Sequence, residues 1–487
     1  MHNSLLIVLL AIFLAGNAFV VKRGYAPQNG ILEYSVAGRS AGTAVFLMSF
    51  IGRWIPGSVC TVWFFLAAER GMYVQYLTVY TIGAVVMLRL LGVPLWRLGK
   101  RYNLETQADF IELRYGSATF KRFFSFITLI FWFPWVILEM KTIGQAITAT
   151  SNYGIEYNIS IIIVTMFVII TCFYGGVRGV NNGSVVQTTV FVALVCAGVY
   201  YLICAVFGGF FAMYARMAAE APEILSVEFA YPHRFELASA TLAGTLGSVF
   251  WPGMFCHIYA AKNESVIRKS SLLALFPMLP VFILTLSLGM SVRIIPGLQQ
   301  ADTMGLFRIA EIYGNEIVLA MLGVGVTATC MTMCAPVFNV AGVMIAKDLL
   351  SAPASLSRVD TLKSARICTV AVGLVALWLA TIEFPNLVSL VMLMYSFIIQ
   401  ASVPILLGLL LRRSNLRGAV TGMAAGLLAT LLLSVFPRLT DRMNGFSAGM
   451  AGFAVNAIVH IGVSLLTPVR RNAEEGFGRA DRYLWRR

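Results

Sequence analysis

Charge is what this 487-residue chain has least of. Asp, Glu, Lys and Arg make up 12% of it, about half the roughly 25% of an ordinary soluble domain. With 59% apolar residues, a water-soluble globule of this composition would precipitate. Long polar stretches are also lacking; the longest is the tail from Thr467 to Arg487, too short to fold alone. Cysteine chemistry is excluded by placement. Cys60, Cys172, Cys196, Cys204, Cys256, Cys330, Cys334 and Cys368 lie in or at the ends of apolar runs, with no CxxC pair and no metal-ligand spacing. They read as small apolar side chains, so no metal and no cofactor is expected. Histidines number four. No Ser/His/Asp set, His/Asp cluster or phosphate-cradling loop is present, which argues against an enzyme or an ATP-driven pump. The net charge of +14 is spread over short loops and forms no basic domain, so nucleic acid is not an expected partner.

What the chain has in quantity is long apolar runs. A bilayer core takes about 20 apolar residues per helix, and the runs give an all-α polytopic membrane protein of about thirteen spans. They lie near 3–20, 43–67, 72–95, 123–149, 157–174, 185–210, 239–261, 271–291, 314–346, 365–383, 386–411, 417–436 and 447–467. The first has no Lys or Arg before it and Lys22 and Arg23 directly after it, the polarity of a retained helix rather than a cleaved signal. Numbering the spans 0 to 12, this puts the N-terminus outside and the C-terminus in the cytoplasm. Lys and Arg then crowd the cytoplasmic loops and tail. Arg53, Arg89 and Lys141 fall within spans. Arg89 is close enough to an end to snorkel; Arg53 and Lys141 are not.

Two spans are interrupted in mid-membrane: span 1 by Gly52-Arg53-Trp54-Ile55-Pro56-Gly57-Ser58 and span 6 by Trp251-Pro252-Gly253-Met254. A mid-helix proline lacks the N–H that would pair four residues back, so Pro56 frees the Gly52 carbonyl and Pro252 frees that of Ser248. Inside a membrane, orphan carbonyls survive only where buried in protein or lining a cavity. Breaks five spans apart are the mark of an inverted-repeat transporter with a midplane site. Span 8 adds Thr329, Thr332, Met333 and Pro336 on one helical face. Such oxygens suit a small cation or a cationic side chain.

With these segments in place the chain resembles the sodium/solute symporter family from about residue 35 to 430. The resemblance is carried by Ala37-Gly38-Arg39-Ser40, Arg114-Tyr115-Gly116, Gly175-Gly176-Val177-Arg178 with Gln187, Ala260-Ala261-Lys262, Asp302-Thr303, Lys347-Asp348-Leu349, Pro404 with Gly408, and Gly418-Ala419 with Gly422. It implies a five-plus-five inverted-repeat core and alternating-access transport of a small solute. The domain reading is then a peripheral helix at 1–22, repeats at 43–210 and 239–411, two peripheral helices at 412–467, and a basic cytoplasmic tail at 468–487. The resemblance also implies a sodium site from the carbonyls of Gly52 and Ile55 with Thr329, Thr332 and Met333.

This chain departs from the pattern at that site. Met333 offers a thioether, unsuited to hard Na⁺, where a hydroxyl is usual. Arg53 places a permanent cation beside the span 1 carbonyls, Ser184 stands where the family often has Asp, and Cys256-His257 replaces a Gln-Arg pair. Arg53 is thus expected to take over part of the role of sodium, with the Gly52 and Thr332 carbonyls as acceptors. Glu139 aligns with a cavity-facing position and is the expected partner of Arg53, because Lys141 is about 200° away around the helix. Two readings of that pair stay open, a proton switch and a fixed salt bridge. Trp54, Trp251 and Phe255 flank the breaks and are expected to close over the solute with Arg53 and Glu139; Glu139 and Ser184 are the expected coupling residues. The functional expectation is a secondary transporter of a small organic solute, a carboxylate, in the lipid of the cell membrane, sodium-independent or proton-linked. Two alternatives stand: an ordinary sodium-coupled symporter, and a sensor or subunit that keeps the fold without transport.

Overall fold

The computed structural model describes residues 4–25, 28, 30–298, 302–350, 358–383, 387–436 and 443–468. The expected basic tail lies outside the described residues from 469 onward. Among the described residues, helix is the rule and the β element is one isolated bridge between Ala41 and Ala261. Among the described residues ten helices are long and apolar enough to cross a membrane, fewer than the thirteen expected spans. Two causes account for the lower number. The stretches Val62–Tyr102 and Tyr157–Phe207 run for 41 and 51 residues, well beyond the roughly 30 Å that one crossing needs at 1.5 Å per residue. The broken helices, in turn, are divided into shorter pieces.

The first broken helix runs from Thr43 to Trp54, turns through Ile55 and Pro56 in extended conformation, and resumes over Val62–Arg70 after a short 3-10 turn at Gly57–Cys60. The second spans Glu236–Gly247 and Pro252–Ala260, with Trp251 extended between them. Here Pro252 occupies the first position of the new helix, where its missing N–H costs nothing. A further break bends Tyr157–Phe207 at Gly176, whose φ of +53° lies in the left-handed region. The ends of the two broken helices are tied together: Ala41 N–H donates to Ala260 O at 3.0 Å and Lys262 N–H to Ala41 O at 2.9 Å. Glu316–Met344 packs against both broken helices; it belongs to Glu316–Leu349, the most enclosed of these ten spans, with 83% of its apolar window buried.

Several sequence motifs meet as staples on this frame. The Arg114 side chain donates to the carbonyl of Gly408 at 2.8 Å, and the Tyr115 hydroxyl to Pro404 O at 2.5 Å. Arg178 reaches Glu33 at 3.0 Å and the Ala37 carbonyl at 3.3 Å. The short helix Gln107–Tyr115 starts on a capping box of Thr106 and Asp109, and Asp109 is paired to Lys121 at 2.8 Å and Lys347 at 2.7 Å. Burial opposes ionisation of Asp109, but Lys347 and Lys121 outweigh it and hold the carboxyl well below its usual range. Lys141 and Arg89, two of the three in-span cations, reach the backbone carbonyls of Ile382 at 2.7 Å and Arg268 at 3.1 Å.

Candidate functional site

Between the two breaks lies a cavity walled by Arg53, Trp54, Trp63, Tyr80, Trp132, Trp135, Trp251, Tyr395, Met333 and Pro336, among others. Five of the eight tryptophans of the chain form its wall. Arg53 is the one charged residue in that lining. The walls brace one another: Trp251 stands edge-on to Trp135 at 5.8 Å and tilted against Tyr395 at 5.5 Å. Trp54 stands edge-on to Tyr80 at 5.4 Å and donates its indole N–H to Thr81 at 2.8 Å.

Arg53 is 6% exposed and does not pair with Glu139 or with the freed carbonyls. Its Nη2 donates to Asn181 Oδ1 at 2.7 Å, and its Nη1 to Ser49 O at 3.1 Å and His257 Nδ1 at 3.3 Å. The His257 tautomer follows from its partners. Nε2 lies 2.9 Å from the carbonyl of Phe46, which can only accept, so Nε2 carries the hydrogen. Nδ1 is then the lone pair that receives the guanidinium. The imidazole is stacked on Phe46 with ring centroids 4.1 Å apart. A guanidinium has five N–H groups; three are committed, and Nε has no partner. What remains uncommitted is Nε–H and one hydrogen of Nη2, donors suited to an acceptor such as a carboxylate.

Glu139 turns instead to the break in the first helix. Its oxygens accept from the N–H of Gly57 at 2.6 Å and of Ser58 at 3.2 Å. It is fully buried and absent from the cavity wall. Gly57 is what allows this approach, because a Cβ there would sit 2.1 Å from Cys330 Sγ and 3.0 Å from Glu139 Oε2.

The ion-site-like residues do gather. Thr332 Oγ1 lies 2.7 Å from Gly52 O and 2.6 Å from Thr329 O, and Thr329 Oγ1 donates to Ile55 O at 2.7 Å. Of the two carbonyls expected to serve Arg53, that of Gly52 is therefore engaged by the Thr332 hydroxyl. Met333 faces the cavity and adds no oxygen. Two expected residues fall away from the site. Ser184 bonds its own helix at Val180 O, 2.8 Å away. Phe255 is buried against Phe110 and Tyr259 and is not part of the cavity lining. In place of Ser184, the contacts from the Tyr157–Phe207 helix come from Asn181 and Thr188, whose hydroxyl donates to Met48 O at 2.9 Å.

The family model described as sodium:solute symporter family matches residues 34–426. The proteins named uncharacterized symporter YhjB and uncharacterized symporter YodF of Bacillus subtilis (strain 168) are each 23% identical to this chain. The alignments cover 97% and 95% of it and 99% and 92% of their own lengths. In fold, the chain is similar to a Na⁺-coupled sialic acid symporter in a substrate-bound outward-open state, with a TM-score of 0.78 at 14% identity over 95% of this chain and 97% of that one. It is also similar to MHP1, a nucleobase-cation-symport-1 family transporter in a closed conformation with bromovinylhydantoin bound. There the TM-score is 0.62 at 14% identity, over 94% of this chain and all of that one.

Proposed function

Since the chain belongs to the sodium:solute symporter family, is a multi-pass membrane protein and is a secondary transporter rather than an enzyme, we propose that its solute is a small organic monocarboxylate with an apolar or aromatic body. The observation that carries this reading is the unpartnered Nε–H of Arg53, a residue that lines a wall of aromatic rings. The donors there have no acidic counterpart: Arg and Trp only donate, Trp135 Nε1 has no partner, and among the described residues no carboxylate lines the cavity. A donor-rich, acceptor-poor pocket favours an acceptor-rich solute.

Coupling through the oxygens at Gly52, Ile55, Thr329 and Thr332 is weak or absent in this reading. The set carries no negative charge, and Met333 supplies sulfur where a hard cation needs oxygen. Arg53 keeps a positive charge permanently at the same break. A sodium-coupled cycle remains the second reading, supported by the convergence of those oxygens. The paired breaks support a five-plus-five repeat over 43–210 and 239–411. The excess of basic residues on one set of loops supports an external N-terminus and a cytoplasmic C-terminus.

The test is counterflow in proteoliposomes preloaded with acetate, pyruvate or phenylacetate, in choline buffer. Accumulation of the labelled carboxylate is the expected result. Exchange of amino acids or sugars with no carboxylate exchange would refute the assignment.

A further inference from the structure

Arg53 is a buried cation held by neutral groups alone. A guanidinium stays charged in proteins, yet among the described residues Arg53 makes no ion pair. Its acceptors are the Asn181 amide oxygen, the Ser49 carbonyl and Nδ1 of His257. His257 brings no charge of its own: Nε2 carries the hydrogen that faces Phe46 O, and a second hydrogen on Nδ1 would point at the guanidinium. Glu139, the acid expected to pair with it, is taken up by the N–H groups of Gly57 and Ser58.

Asn181 decides the charge balance. Its contact with Arg53, at 2.7 Å, is the shortest of the three, and it runs through Oδ1 because a guanidinium only donates. The residue is 1% exposed, and its backbone is fixed by Ser49 Oγ, which donates to Asn181 O at 3.0 Å. Its Nδ2 is buried and bonds to nothing. An aspartate has the same outline, would keep the contact through one oxygen, and would lose no hydrogen bond, because the group it replaces makes none. What separates the two residues here is charge. An aspartate would neutralise Arg53 from within the protein and repel a second carboxylate; the amide holds the guanidinium and leaves its charge uncompensated. We propose that Asn181 is the positioning residue that sets charge selection: by tethering Arg53 without a countercharge, it reserves the guanidinium for an anionic solute and favours a carboxylate over its neutral amide. This rests on the carboxylate reading above and assigns its selectivity to a residue outside the cavity lining.

The experiment is equilibrium binding of labelled acetate, pyruvate and phenylacetate, and of their neutral amides, to the purified full chain in choline salts. It is run at about pH 8, where an aspartate beside a guanidinium is ionised. Two variants separate charge from tether: Asn181→Asp keeps the shape and adds a charge, while Asn181→Ala removes the tether and adds none. The expected order of carboxylate affinity is wild type, then Asn181→Ala, then Asn181→Asp. The loss in Asn181→Asp is at least about 100-fold, in line with the cost of like charges at close range, and its preference shifts to the amide. Without solute, Asn181→Asp should unfold above the wild type, because a buried cation gains its counterion. A purely structural tether predicts the reverse order, with Asn181→Ala the weaker binder, and that result overturns the inference. So does an Asn181→Asp protein less stable than the wild type, or one that binds carboxylates as tightly; each leaves the solute reading intact. No binding of any of the three carboxylates by the wild-type protein overturns both.

Discussion

Substituting Gly57 by Ala tests the geometry of the first break. The added Cβ would lie 2.1 Å from Cys330 Sγ, about 1.5 Å inside an ordinary carbon contact distance of 3.5–4.0 Å. Either the thiol or the Gly57–Cys60 turn must move. If the turn retreats, Glu139 loses the two backbone donors at 2.6 and 3.2 Å. Hydrogen bonds to a charged group contribute about 1.5–3 kcal/mol each, and overpacking alone costs about 1–3 kcal/mol. Because relaxation shares the strain between these outcomes, the expected loss is about 2–4 kcal/mol. Denaturant or thermal unfolding of the full chain in detergent reads it, together with solute uptake. Cys330→Ala removes the clashing sulfur, so the double variant should recover at least half of the loss, a favourable coupling of about 1 kcal/mol or more in a double-mutant cycle. A Gly57→Ala protein within about 0.5 kcal/mol of wild type, or a cycle with no coupling, would refute the account of why glycine stands there.

Other expectations follow from the same structure. Met333→Ser adds the oxygen missing from the span 8 face, so sodium should raise the unfolding midpoint of this variant and leave the wild type unmoved; equal responses would contradict the reading of that position. Trp251→Ala opens the cavity wall and should weaken carboxylate binding by about 10- to 100-fold, roughly 1–3 kcal/mol, in an equilibrium binding assay. Asp109 has its native carboxyl held below the unfolded value, so its contribution is present above about pH 4 and lost as pH falls further. Asp109→Asn should therefore lower stability at pH 7 and flatten the acid limb of the stability curve, while an unchanged limb would exclude that role.

The breaks were legible because their cause is local: Pro56, Gly57 and Pro252 cannot continue a membrane helix whatever surrounds them. The bend at Gly176 was visible in the same way, as the end of one expected span near 174. The partner of Arg53 was not legible. Helix periodicity removed Lys141 from consideration, but the choice among Glu139, Asn181 and His257 depends on contacts 128 and 204 residues apart. Charge favoured Glu139, yet the break offers two backbone N–H groups that satisfy a carboxylate without any cation. A neutral amide and a neutral imidazole then serve the arginine. Phe255 misled because nearness to a break in sequence does not set the direction of a side chain, and this one packs against Phe110 and Tyr259. The aromatic wall was partly legible from Trp54 and Trp251. Trp132 and Trp135 carried no signal beyond their composition until tertiary packing brought them to the break.

The most direct test of a sodium-independent carboxylate site is ligand-induced stabilisation of the purified protein. Acetate, pyruvate and phenylacetate are compared with their neutral amides, each in sodium and in choline buffer. A ligand at 100 times its Kd adds about 2.7 kcal/mol to the folded state. The expected result is a rise in midpoint with at least one carboxylate, equal in the two buffers, no rise with its amide, and loss of the effect in Arg53→Gln. Stabilisation that requires sodium, or that the amide reproduces, would contradict it.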